Sequence, residues 1–217
     1  MSRQEPVTFL TREGDVRLEG VLHLPDAPGP LPALAVCHPH PQMGGDMENN
    51  VVGAICRAAL AQNIAALRFN FRGVGGSSGE YSGGVGERDD AWAALDHLRG
   101  RGEIDPSRLG LAGYSFGAAV ALNCAAAAGV RALVAVSAPP RMLDFTAQMG
   151  FEFPLLLIAG DSDAYVPAER LQQLAVALGP RAIVTIVPGV DHFWWGAERQ
   201  LEQAVGAFFS EHLNPAS

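Results

Sequence analysis

From residue 31 onward, short apolar runs alternate with segments whose apolar residues recur every three or four positions, and few architectures absorb such a pattern. "ALAVC", "AALRFNF", "RLGLAGY", "ALVAVSA", "PLLLIAG" and "AIVTIVP" read as buried strands. Between them, 50–61 reads as a helix, and 87–99 as another with Trp92, Leu95 and Leu98 on one face. The Ala-rich stretch after "GYSFG" is a third, 168–178 spaces Leu171, Leu174 and Leu178 as a helix does, and a last one carries Leu201, Val205 and Phe208. The helical pattern is weakest after "ALVAVSA". Two earlier β-like runs, "PVTFL" and "VRLEGVLHL", precede a Pro/Gly turn. The expectation is an α/β chain with a parallel sheet covered by helices on both faces. No repeat, low-complexity tract or linker divides it, so residues 1–217 are expected to form a single domain.

Composition excludes several classes of function. A chain of 217 residues can bury a large core, and no apolar run approaches the roughly 20 residues that span a bilayer. The N-terminus has no apolar stretch behind a basic start, so a soluble, cytoplasmic protein without a membrane partner is expected. A net charge of -8 argues against a nucleic-acid partner. Cys37, Cys56 and Cys124 lack CxxC spacing and sit in apolar surroundings, as packed thiols do.

In open α/β sheets, chemistry collects in the loops at the carboxyl ends of the strands. "GYSFG" stands between a strand and an Ala-rich helix, the context of a nucleophile elbow that presents Ser115 on a tight turn. The helix starting at Phe116 offers free N–H groups and a positive dipole end beside it. A serine needs a base oriented by a carboxylate, in the chain order Ser, Asp/Glu, His. "DSDAYVP" supplies Asp161 and Asp163, and "GVDHFWW" supplies His192. Asp191 is a weaker rival, because adjacent side chains diverge on a turn. His212, in the last helix, reads as a solvated surface residue.

"HPHPQMGG", "LRFNFRGVGGSSGE", "GVGERDD", "GYSFG", "GDSDAYVP" and "DHFW", in this order, resemble the α/β-hydrolase superfamily, and in particular small bacterial serine hydrolases related to the dienelactone hydrolases. The resemblance implies the α/β-hydrolase fold: an eight-stranded, mostly parallel sheet whose second strand is antiparallel, with a Ser-Asp-His triad. Dienelactone hydrolases proper use cysteine where this chain has Ser115. By the superfamily's spacing between a strand-ending glycine and a Val-Pro, Gly160, Asp163, Val166 and Pro167 favour Asp163 as the acid, leaving Asp161 as a turn residue. "HPHP" occupies the place of the superfamily's His-Gly-x, which implies that the backbone N–H groups of His40 and Phe116 form the oxyanion hole, with Pro39 replacing the glycine.

Other readings of these motifs carry less. "RGVGGSSG" has Ser78 where a dinucleotide fingerprint needs its third glycine. Glu87, Asp89 and Asp90 suit the first turn of a helix without any catalytic role. Cys37 and His38, as neighbours on a strand, point to opposite faces. Two histidines do not make a catalytic zinc site, and no metal or other cofactor is expected. Only about 14 residues separate "ALVAVSA" from "FPLLLIAG", too few for a lid domain, so the site should be open. Met43, Phe193 and Trp194, with Met47, Phe116 and Trp195, are candidates for an apolar substrate pocket. The sequence therefore predicts a serine hydrolase, an esterase acting on small-molecule esters through an acyl-enzyme. The alternatives are a non-catalytic binding module on the same scaffold, or acyl transfer to an acceptor other than water. No protein partner is indicated.

Overall fold

Eight strands form one sheet in the order β1-β2-β4-β3-β5-β6-β7-β8 in a computed structural model that describes residues 2–143 and 152–214. The strands are β1 Arg3–Leu10, β2 Arg17–Leu24, β3 Leu31–Cys37, β4 Ala65–Phe69, β5 Ile104–Tyr114, β6 Ala132–Val136, β7 Leu155–Gly160 and β8 Ala182–Val187. A short turn, held by the Thr11 hydroxyl donating to Asp15 at 2.7 Å, folds β2 back on β1. β2 is antiparallel to both β1 and β4, and every pairing from β4 through β8 is parallel. Parallel neighbours need crossovers, and helices supply them.

Those helices are α1 Asn50–Ala61, α2 Gly86–Arg99, α3 Phe116–Ala128, α4 Ala168–Leu178 and α5 Glu198–Leu213. The strand pleat sends alternate residues to two cores. Ala33, Ala35 and Cys37 of β3 join the core under α2, α3 and α4, whereas Leu34 and Val36 join the one under α1 and α5. α1 starts where the Asn49 side chain accepts from the Val51 N–H at 2.9 Å, a cap that satisfies one otherwise free donor. α3 is buried nearly all round, and its small residues let it lie close on the sheet, which explains why its sequence lacks an amphipathic period.

The strand predicted over "AALRFNF" stops at Phe69. The Asn70 N–H still donates to the Glu19 carbonyl of β2 at 3.0 Å, but the Phe71 N–H is taken by the His38 side chain rather than by a neighbouring strand. After β6 the described residues hold only a 3-10 turn, Pro140–Met142, and the rest of that doubtful stretch, 144–151, lies outside them. His212 is half-buried with its ring against Phe208 at 4.6 Å, not a solvated residue. All three cysteines are buried and unpaired. Among the described residues no helix is long and apolar enough to cross a membrane.

Parallel register brings the strand ends into one row. Cys37 lies opposite Gly113, Tyr114 opposite Val136, Val136 opposite Ile158, and Gly160 opposite Val187. The loops after β3, β5, β6, β7 and β8 therefore rise from a common edge.

Candidate active site

The strand β5 passes into α3 through a single residue, Ser115, whose φ of 53° and ψ of -116° lie where side-chain-bearing residues rarely sit. Packing holds this strain in place. A Cβ on Gly113 would overlap the carbonyl of Gly117, and one on Gly117 would overlap the carbonyls of Cys37 and His38. Both glycines of "GYSFG" are thus required by close backbone approach, as the motif predicts.

The Ser115 hydroxyl meets His192 Nε2 at 3.0 Å. On the other side of the ring, Nδ1 lies 2.9 Å from Asp163 Oδ2 and 3.0 Å from Oδ1. A carboxylate only accepts, so Nδ1 carries the proton and Nε2 is free to accept from the serine. Asp163 is buried and also accepts from the N–H groups of Tyr165 at 2.9 Å and Val166 at 3.0 Å, which fixes its plane. The three residues come from the loops after β5, β7 and β8, and their meeting follows from the aligned strand ends.

Asp161 does not face the imidazole. It accepts from the Gly189 N–H at 2.8 Å and so ties the loop after β7 to the loop after β8. Asp191 caps its own loop through the N–H groups of Phe193 at 2.9 Å and Trp194 at 3.2 Å. Two further anchors hold that loop: the Tyr114 hydroxyl donates to the His192 carbonyl at 2.8 Å, and Trp194 Nε1 donates to the Ser137 hydroxyl at 3.1 Å. Burial pushes the Tyr114 phenol above its ordinary range, so it stays a neutral donor.

"HPHP" splits into two unlike histidines. His38 is wholly buried; its Nδ1 donates to the Pro39 carbonyl at 2.6 Å and its Nε2 accepts from the Phe71 N–H at 3.0 Å. Desolvation lowers its pKa from 6.5 to about 4, which keeps it neutral. His40 opens a 3-10 turn, Pro41–Met43, with φ -57° and ψ 120°. Its Nδ1 accepts from the Gln42 N–H at 3.2 Å, so Nε2 bears the proton and meets the Tyr81 hydroxyl at 3.2 Å. The His40 ring also packs on Phe116 at 4.9 Å, which couples the two loops that line the cleft. Among the described residues neither the His40 nor the Phe116 N–H meets an acceptor. The two imidazoles are thus engaged separately, and no group of three or more His, Cys, Asp or Glu side chains among the described residues is arranged to hold a metal.

A cavity of about 290 Å³ opens over Ser115 and His192. Met43, 79 % exposed, and Phe193 line it, together with Phe116. Trp194 does not: it is 0 % exposed, and its side chain is the anchor just described, because a backbone φ of 61° turns it inward. Met47 and Trp195 also fall outside the cavity wall, and Trp195 is 74 % exposed. Sequence reasoning missed Tyr114, Arg141, Met142 and Tyr165, all of which line the cavity. Tyr114 and Tyr165 lie inside motifs already singled out, so position was the available signal for them; Arg141 and Met142 follow a strand end without any motif. Glu87 and Asp90 are buried struts. Glu87 accepts from the N–H groups of Ser82 at 2.9 Å and Gly84 at 2.7 Å, while Asp90 grips Arg72 at 2.7 Å.

A family model described as X-Pro dipeptidyl-peptidase (S15 family) matches residues 13–160. An uncharacterized protein of Rickettsia prowazekii is 32% identical over 201 residues, covering 88% of this chain and 84% of its own. Among solved structures, a serine hydrolase without a lid from Xanthomonas campestris is 32% identical with a TM-score of 0.86, covering 99% of this chain and 97% of its own. A serine hydrolase homologue from Coxiella burnetii is 29% identical with a TM-score of 0.85, covering 98% of this chain and 97% of its own.

Proposed function

The chain belongs to the X-Pro dipeptidyl-peptidase (S15) family within the α/β-hydrolase superfamily, and on that premise we propose that it is a serine hydrolase acting on carboxylic esters. One observation carries the reading: the continuous line from the Ser115 hydroxyl through His192 to the buried Asp163 carboxylate. Ser115 Oγ attacks the acyl carbonyl while His192 Nε2 takes its proton. The Asp163 carboxylate holds Nδ1–H and stabilises the imidazolium without taking the proton itself. The N–H groups of His40 and Phe116 receive the charge that develops on the carbonyl oxygen. His192 then protonates the leaving alcohol, and an acyl-Ser115 remains. Water, deprotonated by His192, attacks this ester; the acid leaves and Ser115 regains its proton.

An ester is favoured over a peptide substrate by the cleft's own chemistry. A peptide cut two residues from its N-terminus presents an ammonium group, which calls for a carboxylate close to the nucleophile. The described residues lining the cavity include no Asp or Glu, and they do include Arg141. The experiment is a direct comparison of p-nitrophenyl acyl esters with an X-Pro p-nitroanilide. Ester turnover without anilide turnover is expected; the reverse would replace the esterase reading with a peptidase one.

A further inference from the structure

The cleft over Ser115 does not end at the nucleophile. It shares Arg141 and Tyr165 with a larger groove of about 650 Å³, whose wall continues through Pro140, Pro167, Arg170 and Leu174. Tyr165 stands at the junction, its ring 4.7 Å from that of His192, so the groove opens directly beside the proton carrier.

The charged residues described along this groove are all of one sign on a chain of the opposite net charge. Its 15 basic residues are all arginines, against 23 acids. More than half of those arginines pair with a carboxylate, as Arg72 does with Asp90 and Arg57 with Glu202. Arg141 and Arg170 make no ion pair among the described residues, and the Arg170 guanidinium donates to Gln173 Oε1 at 3.0 Å. No Asp or Glu is found among the described residues lining either compartment. Two guanidinium groups on one wall, with no carboxylate among the described lining residues, form a local positive field on a negative protein. Each presents a planar fork suited to a carboxylate. The linings of the two compartments also include the apolar residues Phe116, Met142, Pro140 and Leu174.

Resting on the esterase reading, we infer that the substrates are anionic esters, in which an apolar chain joins the scissile ester to a carboxylate held by Arg141 and Arg170. The covalent steps are those already given. The two arginines act on selection, through the attraction of an ester whose far end is charged.

Two substrate pairs test this. On the acyl side, the p-nitrophenyl hemi-ester of suberic acid is compared with p-nitrophenyl octanoate; on the alcohol side, the octanoate ester of ω-hydroxyhexanoate is compared with hexyl octanoate. The quantity read is the ratio of kcat/KM for the anionic ester to that for its neutral partner. Arg141→Gln and Arg170→Gln should each lower the ratio about five- to tenfold in one of the pairs, as befits a partly exposed charge contact. Arg141→Lys should recover part of it, and added salt should lower the wild-type ratio. Ratios insensitive to both glutamine substitutions, with the neutral esters still turned over, would overturn the inference and leave the esterase standing. Failure of the wild type to turn over any of the four esters would remove the esterase reading itself, and this inference with it.

Discussion

The loops after β3 and β8 each carry a buried histidine, His38 and His192, yet the two imidazoles differ in what they bond. In the first loop His38 spends both nitrogens on the backbone, donating to Pro39 and accepting from Phe71, and so ties β3 to the end of β4. In the second, His192 is 9 % exposed and spends both nitrogens on side chains with exchangeable protons or charge, Ser115 and Asp163. A histidine bonded only to amides can do nothing but hold them, because neither partner changes protonation. A histidine strung between a hydroxyl and a carboxylate can pass a proton. Burial alone does not distinguish the two; the partners do.

The comparison breaks most visibly at the carboxylate. Asp163→Asn should lower kcat on an activated ester by about 10⁴ fold, since the imidazole loses both its tautomer and its charge partner. Asp161→Asn, which loosens only the tie to Gly189, should cost far less. The reverse ranking would move the acid to Asp161. The first loop is expected to contribute through its backbone, and the next effect measures that contribution. His40 has φ -57°, which proline adopts, so His40→Pro removes one N–H with little change of backbone. Its kcat should fall about 10² to 10³ fold below that of His40→Ala, which loses the same ring but keeps the donor. Equal kcat values in the two variants would take His40 out of the oxyanion hole.

The smallest effect is on stability. The folded pKa of His38 lies near 4, below its ordinary 6.5, so the unfolded chain takes up the proton first. The neutral, hydrogen-bonded ring therefore stabilises the fold fully above pH 6.5, and that contribution drains away as the pH falls toward 4. His23, held neutral by burial and accepting from Arg68 at 3.0 Å, behaves in the same direction. Urea unfolding at pH 7 and pH 5 should show the wild type losing about 2 kcal/mol more than His38→Gln over that interval. An identical pH dependence in both proteins would contradict the structural role of His38.

Periodicity made the sheet legible because its signal is dense: β3, β6 and β7 are buried at every position, and α1 and α4 begin and end at the residues their spacing marks. The positions of Ser115 and His192 were legible because a strained turn and a loop after a late strand demand particular neighbours. Partners across the fold were not. Nothing local says that the Asp161 side chain bonds Gly189, or that Trp194 turns inward to Ser137 while Phe193 beside it faces the cleft. Such outcomes depend on a single backbone angle, and a positive φ at a tryptophan leaves no compositional trace. Arg141 escaped for a different reason: which groove a charge lines is defined by what surrounds it in space.

The central claim is that Ser115 is the nucleophile activated by His192, and covalent trapping tests it most directly. The intact protein would be treated with a fluorophosphonate, digested, and the modified peptide identified by mass spectrometry, with Ser115→Ala and His192→Ala alongside. The account predicts a single adduct on Ser115 in the wild type, none in folded Ser115→Ala, and strongly slowed labelling in His192→Ala. An adduct on another residue, or labelling of Ser115 at an undiminished rate without His192, would contradict it.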